Sequence, residues 1–248
     1  MPMSRWLMSK RENAEVIRMA KLVIDNSSLH SMILSCIIER GFAPSINELC
    51  EYFSASREDI VQGLAALADY HGVVLHPKTS EVWAIHPFSL APTLFWLETS
   101  KGKYWTNCAW CSLGAAALLE SDVTITTTLG GEAKQVKLEI IDGELRDKDI
   151  FVHFPVPMTQ CWDNVIYTCS VMCLFDSENA VDAWCTQHKI PKGDVQPIEK
   201  IWRFARAWYQ NHLNPDWKKW TSAEAKALFQ EFELTGPIWN IEETDGRF

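Results

Sequence analysis

Tyr104-Trp-Thr-Asn-Cys-Ala-Trp-Cys-Ser-Leu-Gly114 and Val165-Ile-Tyr-Thr-Cys-Ser-Val-Met-Cys-Leu-Phe175 decide how this chain is read. The first segment predicts a helix over Cys108–Leu119, with Ala115, Ala116 and Ala117 giving high propensity. Asn107 stands where an N-cap belongs, which places Cys108 in the first turn. Unpaired N–H groups and the helix dipole favour a thiolate there. Cys111 follows one turn later and can face the same way. The second segment is rich in Val, Ile and Thr and reads as a strand with Cys169 at its middle. Side chains at 167, 169, 171, 173 and 175 then share one face, and Cys173 lies about 13 Å from Cys169 at ~3.3 Å per residue. Two sulfurs on one ion are at most about 4.6 Å apart, given bonds of ~2.3 Å. Cys173 is therefore excluded from a shared ion unless the segment is helical. A thiol pair with a distant third thiol suits a soft metal or redox chemistry.

The bulk composition narrows the setting. The chain has 248 residues, 47% of them hydrophobic and 22% charged, as in an ordinary globular protein with a sizeable core. A net charge of −9 argues against a dedicated nucleic-acid binder. Twelve Trp read first as core, with an apolar ligand cavity as the alternative. The N-terminus lacks the apolar run and small-residue cleavage site of a signal peptide, and no run reaches membrane-spanning length. A cytoplasmic protein with no membrane partner is expected, its eight cysteines mostly reduced. One Cys-x-x-Cys without a second pair does not make a zinc finger. Cys36, Cys50 and Cys185 read as small buried apolar residues, and Trp162 and Asp163 beside Cys161 place it near the site.

Helical spacing predicts one or two amphipathic helices over 12–40 and a short helix from Ser45. Ser56-Arg-Glu-Asp59 has the form of a capping box and opens a further helix, followed by a hairpin of Val73–Leu75 and Val82–Ile85. That order is a winged helix-turn-helix. Its third helix opens Arg57-Glu58-Asp59, which phosphate would repel, so a packing module that covers the thiol site is expected instead of a DNA reader. Pro87–Pro92 reads as a linker or turn. Hairpins follow over 94–105 and 123–141, the second turning at Gly130-Gly131, then a strand over Phe151–Phe154. Helices are expected from Ser177, over Ile198–His212, and over Ser222–Phe232. The fold class is α+β: a winged-helix-like segment packed on a mixed or antiparallel sheet domain with flanking helices. The expected divisions are an N-terminal helical segment 1–27, the winged-helix-like domain 28–86, a thiol-site domain 87–195 and a C-terminal helical extension 196–248.

Asn107-Cys-Ala-Trp-Cys-Ser-Leu-Gly114 and Tyr167-Thr-Cys-Ser-Val-Met-Cys-Leu-Phe-Asp-Ser-Glu-Asn-Ala-Val-Asp-Ala-Trp184, on to His188, resemble two ordered motifs of the organomercurial (alkylmercury) lyases. The resemblance is strongest over 88–188. Pro87-Phe-Ser-Leu-Ala-Pro-Thr93 and Leu234-Thr-Gly-Pro-Ile-Trp239 resemble a longer branch of that family. The resemblance implies that Cys108 and Cys169 grip mercury. It also matches the family's proton-delivering aspartate to Cys111, a departure. Cys111 is then either a thiol proton donor or a third sulfur ligand, so Cys108, Cys111 and Cys169 form both the catalytic and the metal-binding set. Asp163, Asp176 and His153 are candidate replacements for the missing acid. The implied reaction needs no cofactor and leaves Hg(II) as bound product, with another soft metal ion as an alternative occupant. The implied partners are a small organometallic substrate, cellular thiols that remove the product, and a mercuric reductase. Two rival readings stay open: a non-catalytic three-cysteine trap for Hg, Cu(I) or Zn, and a thiol–disulfide oxidoreductase.

Overall fold

The structure, a computed structural model, describes residues 24–242. Most of the N-terminal segment, and the helix expected before residue 24, lie outside the described residues. Helix α1 (Asn26–Arg40) starts where the Asp25 carboxylate accepts the N–H groups of Ser27 and Ser28. It ends at Gly41, whose φ of 79° needs a residue without Cβ. Helix α2 (Ile46–Phe53) opens on a reciprocal Ser45–Glu48 capping box, and α3 (Arg57–Asp69) on Ser56. Leu29, Ile33, Ile37, Leu49, Ile60 and Leu64 from the three helices are fully buried.

Strands β1 (Val74–Leu75) and β2 (Val82–Ile85) form the expected hairpin. It does not stand apart. β2 pairs with β3 (Phe88–Ser89), which pairs with β5 (Lys103–Thr106). Residues 87–92, expected as a linker or turn, do turn at His86-Pro87, and they also contribute a strand, because Phe88 finds a fully buried place in the sheet. With β4 (Phe95–Thr99), β6 (Val123–Thr128), β7 (Gln135–Ile141) and β8 (Glu144–Leu145) they make an eight-stranded antiparallel sheet. Its order is β1-β2-β3-β5-β4-β6-β7-β8. Phe95, Leu97, Val123, Ile125, Leu138 and Ile140 alternate inward, as period-two patterning requires.

Helix α4 (Ala109–Leu119) is buried on nearly every side, in keeping with its lack of charge. The strands β3, β4 and β5 lie against it, and so does α7 (Ile198–Tyr209). α7 is amphipathic: Ile198, Ile201, Phe204, Ala205, Trp208 and Tyr209 face inward, while Arg203 and Arg206 are exposed. Strand β9 (Phe151–Phe154) lies between β10 (Leu174–Phe175) and β11 (Asp194–Pro197) in a second, three-stranded sheet. α6 (Glu178–His188) and α8 (Ser222–Glu231) complete the α+β fold.

The strand expected over 165–175 is instead a helix, α5 (Val165–Val171), followed by β10. The Asn164 side chain caps it by accepting the Tyr167 N–H at 3.0 Å. Val165, Thr168 and Cys169 are buried while Ile166, Tyr167 and Ser170 are exposed, a helical spacing. The β-branched content misled because β-propensity reflects fit to a half-buried sheet face, and this segment packs as a helix. Beyond the helix the chain turns, and Cys173 joins Phe175, Val181 and Cys185 in a separate small apolar cluster.

Candidate active site: a buried thiol cluster

Cys108 is itself the N-cap of α4, in extended backbone (φ −156°, ψ −176°). Its Sγ accepts the Cys111 N–H at 3.4 Å. The expected cap, Asn107, sits one residue earlier. It donates Nδ2–H to the Phe88 carbonyl at 3.0 Å and ties the helix start to β3. The Ala109 N–H donates to the Met172 carbonyl at 3.2 Å, so the start of α4 is joined to the end of α5. This link carries Cys169 to the other two thiols. The side chains of Cys108, Cys111 and Cys169 hydrogen-bond to one another. They are 1%, 1% and 7% exposed, so water is largely kept from them.

The thiols open on an apolar cavity of about 60 Å³. Met158, Trp110, Trp208, Trp217 and Trp220 supply apolar wall, and His30, His71, His86, His212 and Lys219 are its basic groups. An imidazole nitrogen of His86 and the sulfurs of Cys111 and Cys169 all lie within 4.8 Å of one another. The Tyr209 hydroxyl is 3.5 Å from the Cys111 sulfur. Lys219 lies 4.3 Å from the centre of the Trp162 ring, which also stacks on His71 and His86.

Charge in the cluster is unevenly held. Burial pushes the Cys111 thiol up, but hydrogen bonds from Cys108 and Cys169 outweigh it and hold the group well below the usual thiol range. Burial raises Cys108 well above that range, and for Cys169 the bonds to Cys108 and Cys111 do so. Cys111 is thus the thiol of the three that ionises most readily, and Cys108 and Cys169 hold their protons more tightly. Burial lowers the His86 pKa further than Cys111 raises it, so this imidazole is neutral at pH 7. The lowering at Cys111 comes first from the hydrogen bonds of Cys108 and Cys169, and after them from His86 and Tyr209. Burial also lowers His212 to about 3 and Lys219 to about 7.

Of the candidate acids, none lines the cavity. Asp163 is exposed at a separate cleft shared with Tyr167. Asp176 is exposed and pairs with Ser177. His153 is buried beside Cys185 at 3.6 Å, with its Nε2–H given to the Lys192 carbonyl at 2.6 Å. Cys161 does line the cavity, where burial raises its thiol to about 12. His86 and Tyr209 were not singled out from the sequence. His86 follows a strand with no motif around it, and Tyr209 lies on an apolar helix face that reads as core.

Residues 88–210 match the family model described as alkylmercury lyase, MerB. The chain belongs to the alkylmercury lyase family. Its fold is similar to that of a solved structure, the mercury-bound form of MerB2. The TM-score is 0.60 at 16% identity, over 77% of this chain and 93% of that one. No curated protein matches the chain. Within the lyase-matched span lie all three clustered thiols and Tyr209; His30, His71, His86, Trp217 and Lys219 come from outside it. Among the described residues, no helix is long and apolar enough to cross a membrane.

Proposed function

We propose that the chain cleaves carbon–mercury bonds by protonolysis, with Cys108 and Cys169 as the sulfurs that take the metal and Cys111 as the proton carrier. The observation that carries this reading is the convergence of three buried thiols, two of them protonated, inside the lyase-matched span. Thiolates are soft donors that bind mercury preferentially, and each added sulfur pushes electron density onto the bound carbon.

The proton count balances without a cofactor. An alkylmercury thiolate brings one mercury–carbon bond and one mercury–sulfur bond. Cys108 and Cys169 each form a bond to mercury and each give up a proton. One proton leaves with the displaced thiolate as a free thiol. The other reaches the carbon, whose bond to mercury breaks to give the hydrocarbon. Cys111 fits the place of the family's aspartate because its surroundings hold its thiol well below the usual range, toward the anionic form that a carboxylate takes. It can accept a thiol proton as the second sulfur–mercury bond forms and hand it to the carbon. Cellular thiols then remove Hg(II), with a mercuric reductase as the downstream partner.

A cavity of about 60 Å³ admits a methyl or ethyl group. An aryl group needs more room, since benzene occupies an engineered cavity of about 150 Å³. Methylmercury is therefore the first substrate to try. Fully reduced protein with methylmercury and excess thiol is expected to release methane at neutral pH. Folded, reduced protein that releases none and instead retains one Hg(II) with a three-sulfur absorption signature is a trap and not a lyase.

A further inference from the structure

We propose that His86 joins Cys111, Cys169 and Cys108 in a mixed nitrogen–sulfur site that holds Zn(II) when no mercury compound is present. This goes beyond the lyase reading and does not depend on turnover.

The geometry is the first support. The His86 nitrogen and the sulfurs of Cys111 and Cys169 lie within 4.8 Å of one another. Zinc–sulfur bonds of ~2.3 Å and zinc–nitrogen bonds of ~2.0–2.1 Å let one ion bridge donors up to about 4.6 Å apart, and tetrahedral angles bring them closer still. A small inward shift of side chains closes the site. Cys108 is not one of that group of three, but it hydrogen-bonds to both Cys111 and Cys169, so a movement of its side chain supplies the fourth donor. Three thiols and one imidazole are a zinc donor set; oxygen-seeking cations such as magnesium or calcium are poorly served by it.

The state of His86 is the second. Its Nε2 is shielded from solvent and has no hydrogen-bond partner among the described residues. Buried polar atoms of this kind are rare unless something binds them. The ring is held by stacking on Trp162, with centroids 5.0 Å apart, and by its place at the β2–β3 turn, where Ile85 pairs with Phe88. The Tyr209 hydroxyl supports Cys111 at 3.5 Å, as residues beside metal ligands commonly do. Thiolates prefer mercury to zinc, so an arriving organomercurial displaces the resident ion and leaves His86 behind.

The test uses the full chain, reduced and metal-free, with no organomercurial added, and Co(II) as the spectroscopic stand-in for zinc. We expect one equivalent to bind with intense tetrahedral ligand-field bands and a thiolate charge-transfer band, both removed by added Zn(II). His86→Ala should weaken Co(II) binding at least about tenfold, the lower end of what loss of even a ligand-supporting residue costs. X-ray absorption at the zinc edge of wild-type protein should show one imidazole shell beside sulfur, a measurement that needs no variant. No tetrahedral spectrum in wild type overturns the proposal. So does a His86→Ala spectrum and affinity equal to wild type, or a zinc shell without nitrogen. Methane release by a wild type that binds no Co(II) overturns this inference alone and leaves the lyase reading standing.

Discussion

The Tyr209 hydroxyl lies 3.5 Å from the sulfur of Cys111, and the same ring closes on Gly114, one turn further along α4. A Cβ at Gly114 would meet Tyr209 Cε2 at 2.3 Å. The packing of α4 on α7 therefore sets both a core contact and the surroundings of a reactive thiol.

Two variants separate these roles. Gly114→Ala should lower stability by about 1–3 kcal/mol through overpacking, read as a reduced urea midpoint. Tyr209→Phe keeps the ring and removes one hydrogen bond to Cys111, so its thiolate absorbance should appear at higher pH than in wild type. An unchanged urea midpoint for the first, or an unchanged thiolate titration for the second, contradicts the contact concerned.

Cys108→Ser and Cys169→Ser should each abolish methane release, because a single sulfur cannot supply the two-thiolate push. Cys111→Asp should keep or raise the rate, since it replaces one anionic proton carrier with another. Cys111→Ser should lower it sharply, because a hydroxyl is not ionised at neutral pH. Headspace gas analysis reads all four variants, and equal rates for Cys111→Ser and wild type would remove Cys111 from the mechanism.

Alkali should destabilise the fold through thiols that lie outside the three-thiol cluster. Burial raises Cys161 and Cys173 to about 12 from an ordinary value of 9.0. A raised thiol favours the folded state fully below the unfolded pKa, and that contribution is lost as pH rises from 9 towards 12. Cys173→Ala should therefore flatten the fall in urea midpoint above pH 9. A parallel fall in variant and wild type would count against the buried, protonated Cys173.

Acid should act through histidines. His30 is held well below 6.5 and His212 near 3, both chiefly by burial. A depressed histidine leaves the unfolded chain binding more protons, so stability falls as pH drops below about 6.5 and continues to fall towards pH 3. The loss is about 1.4 kcal/mol per pH unit for each group. His212→Gln should remove about 1.4 kcal/mol per pH unit from the slope in urea unfolding between pH 6 and 4; an unaltered slope would show that His212 titrates normally.

Some of this molecule is written in local spacing. A Cys-x-x-Cys at a helix start places two thiols one turn apart whatever surrounds them, and Gly130-Gly131 turns a hairpin because both residues take positive φ. The inward alternation of β4, β6 and β7 and the charged outer face of α7 were equally legible, because they reflect periods of two and 3.6 residues. The run Val165–Val171 was not legible. Seven residues rich in Val, Ile and Thr satisfy a strand or a buried helix equally, and only packing chooses.

The sequence by itself determined which residue types could meet a soft metal and that Cys108 and Cys111 would share one helix start. The tertiary structure decided that Cys169 joins them while Cys173 turns away, that the Cys111 thiol is held below its usual range, and that His86 and Tyr209 flank it. The physical reason lies in range. Spacing along a helix or strand is fixed by local backbone geometry, whereas bringing positions 86, 111, 169 and 209 to one cavity depends on burial of the helices and sheet against each other. The thiol charges follow from that burial and from hydrogen bonds between segments far apart in the chain, which no local pattern records.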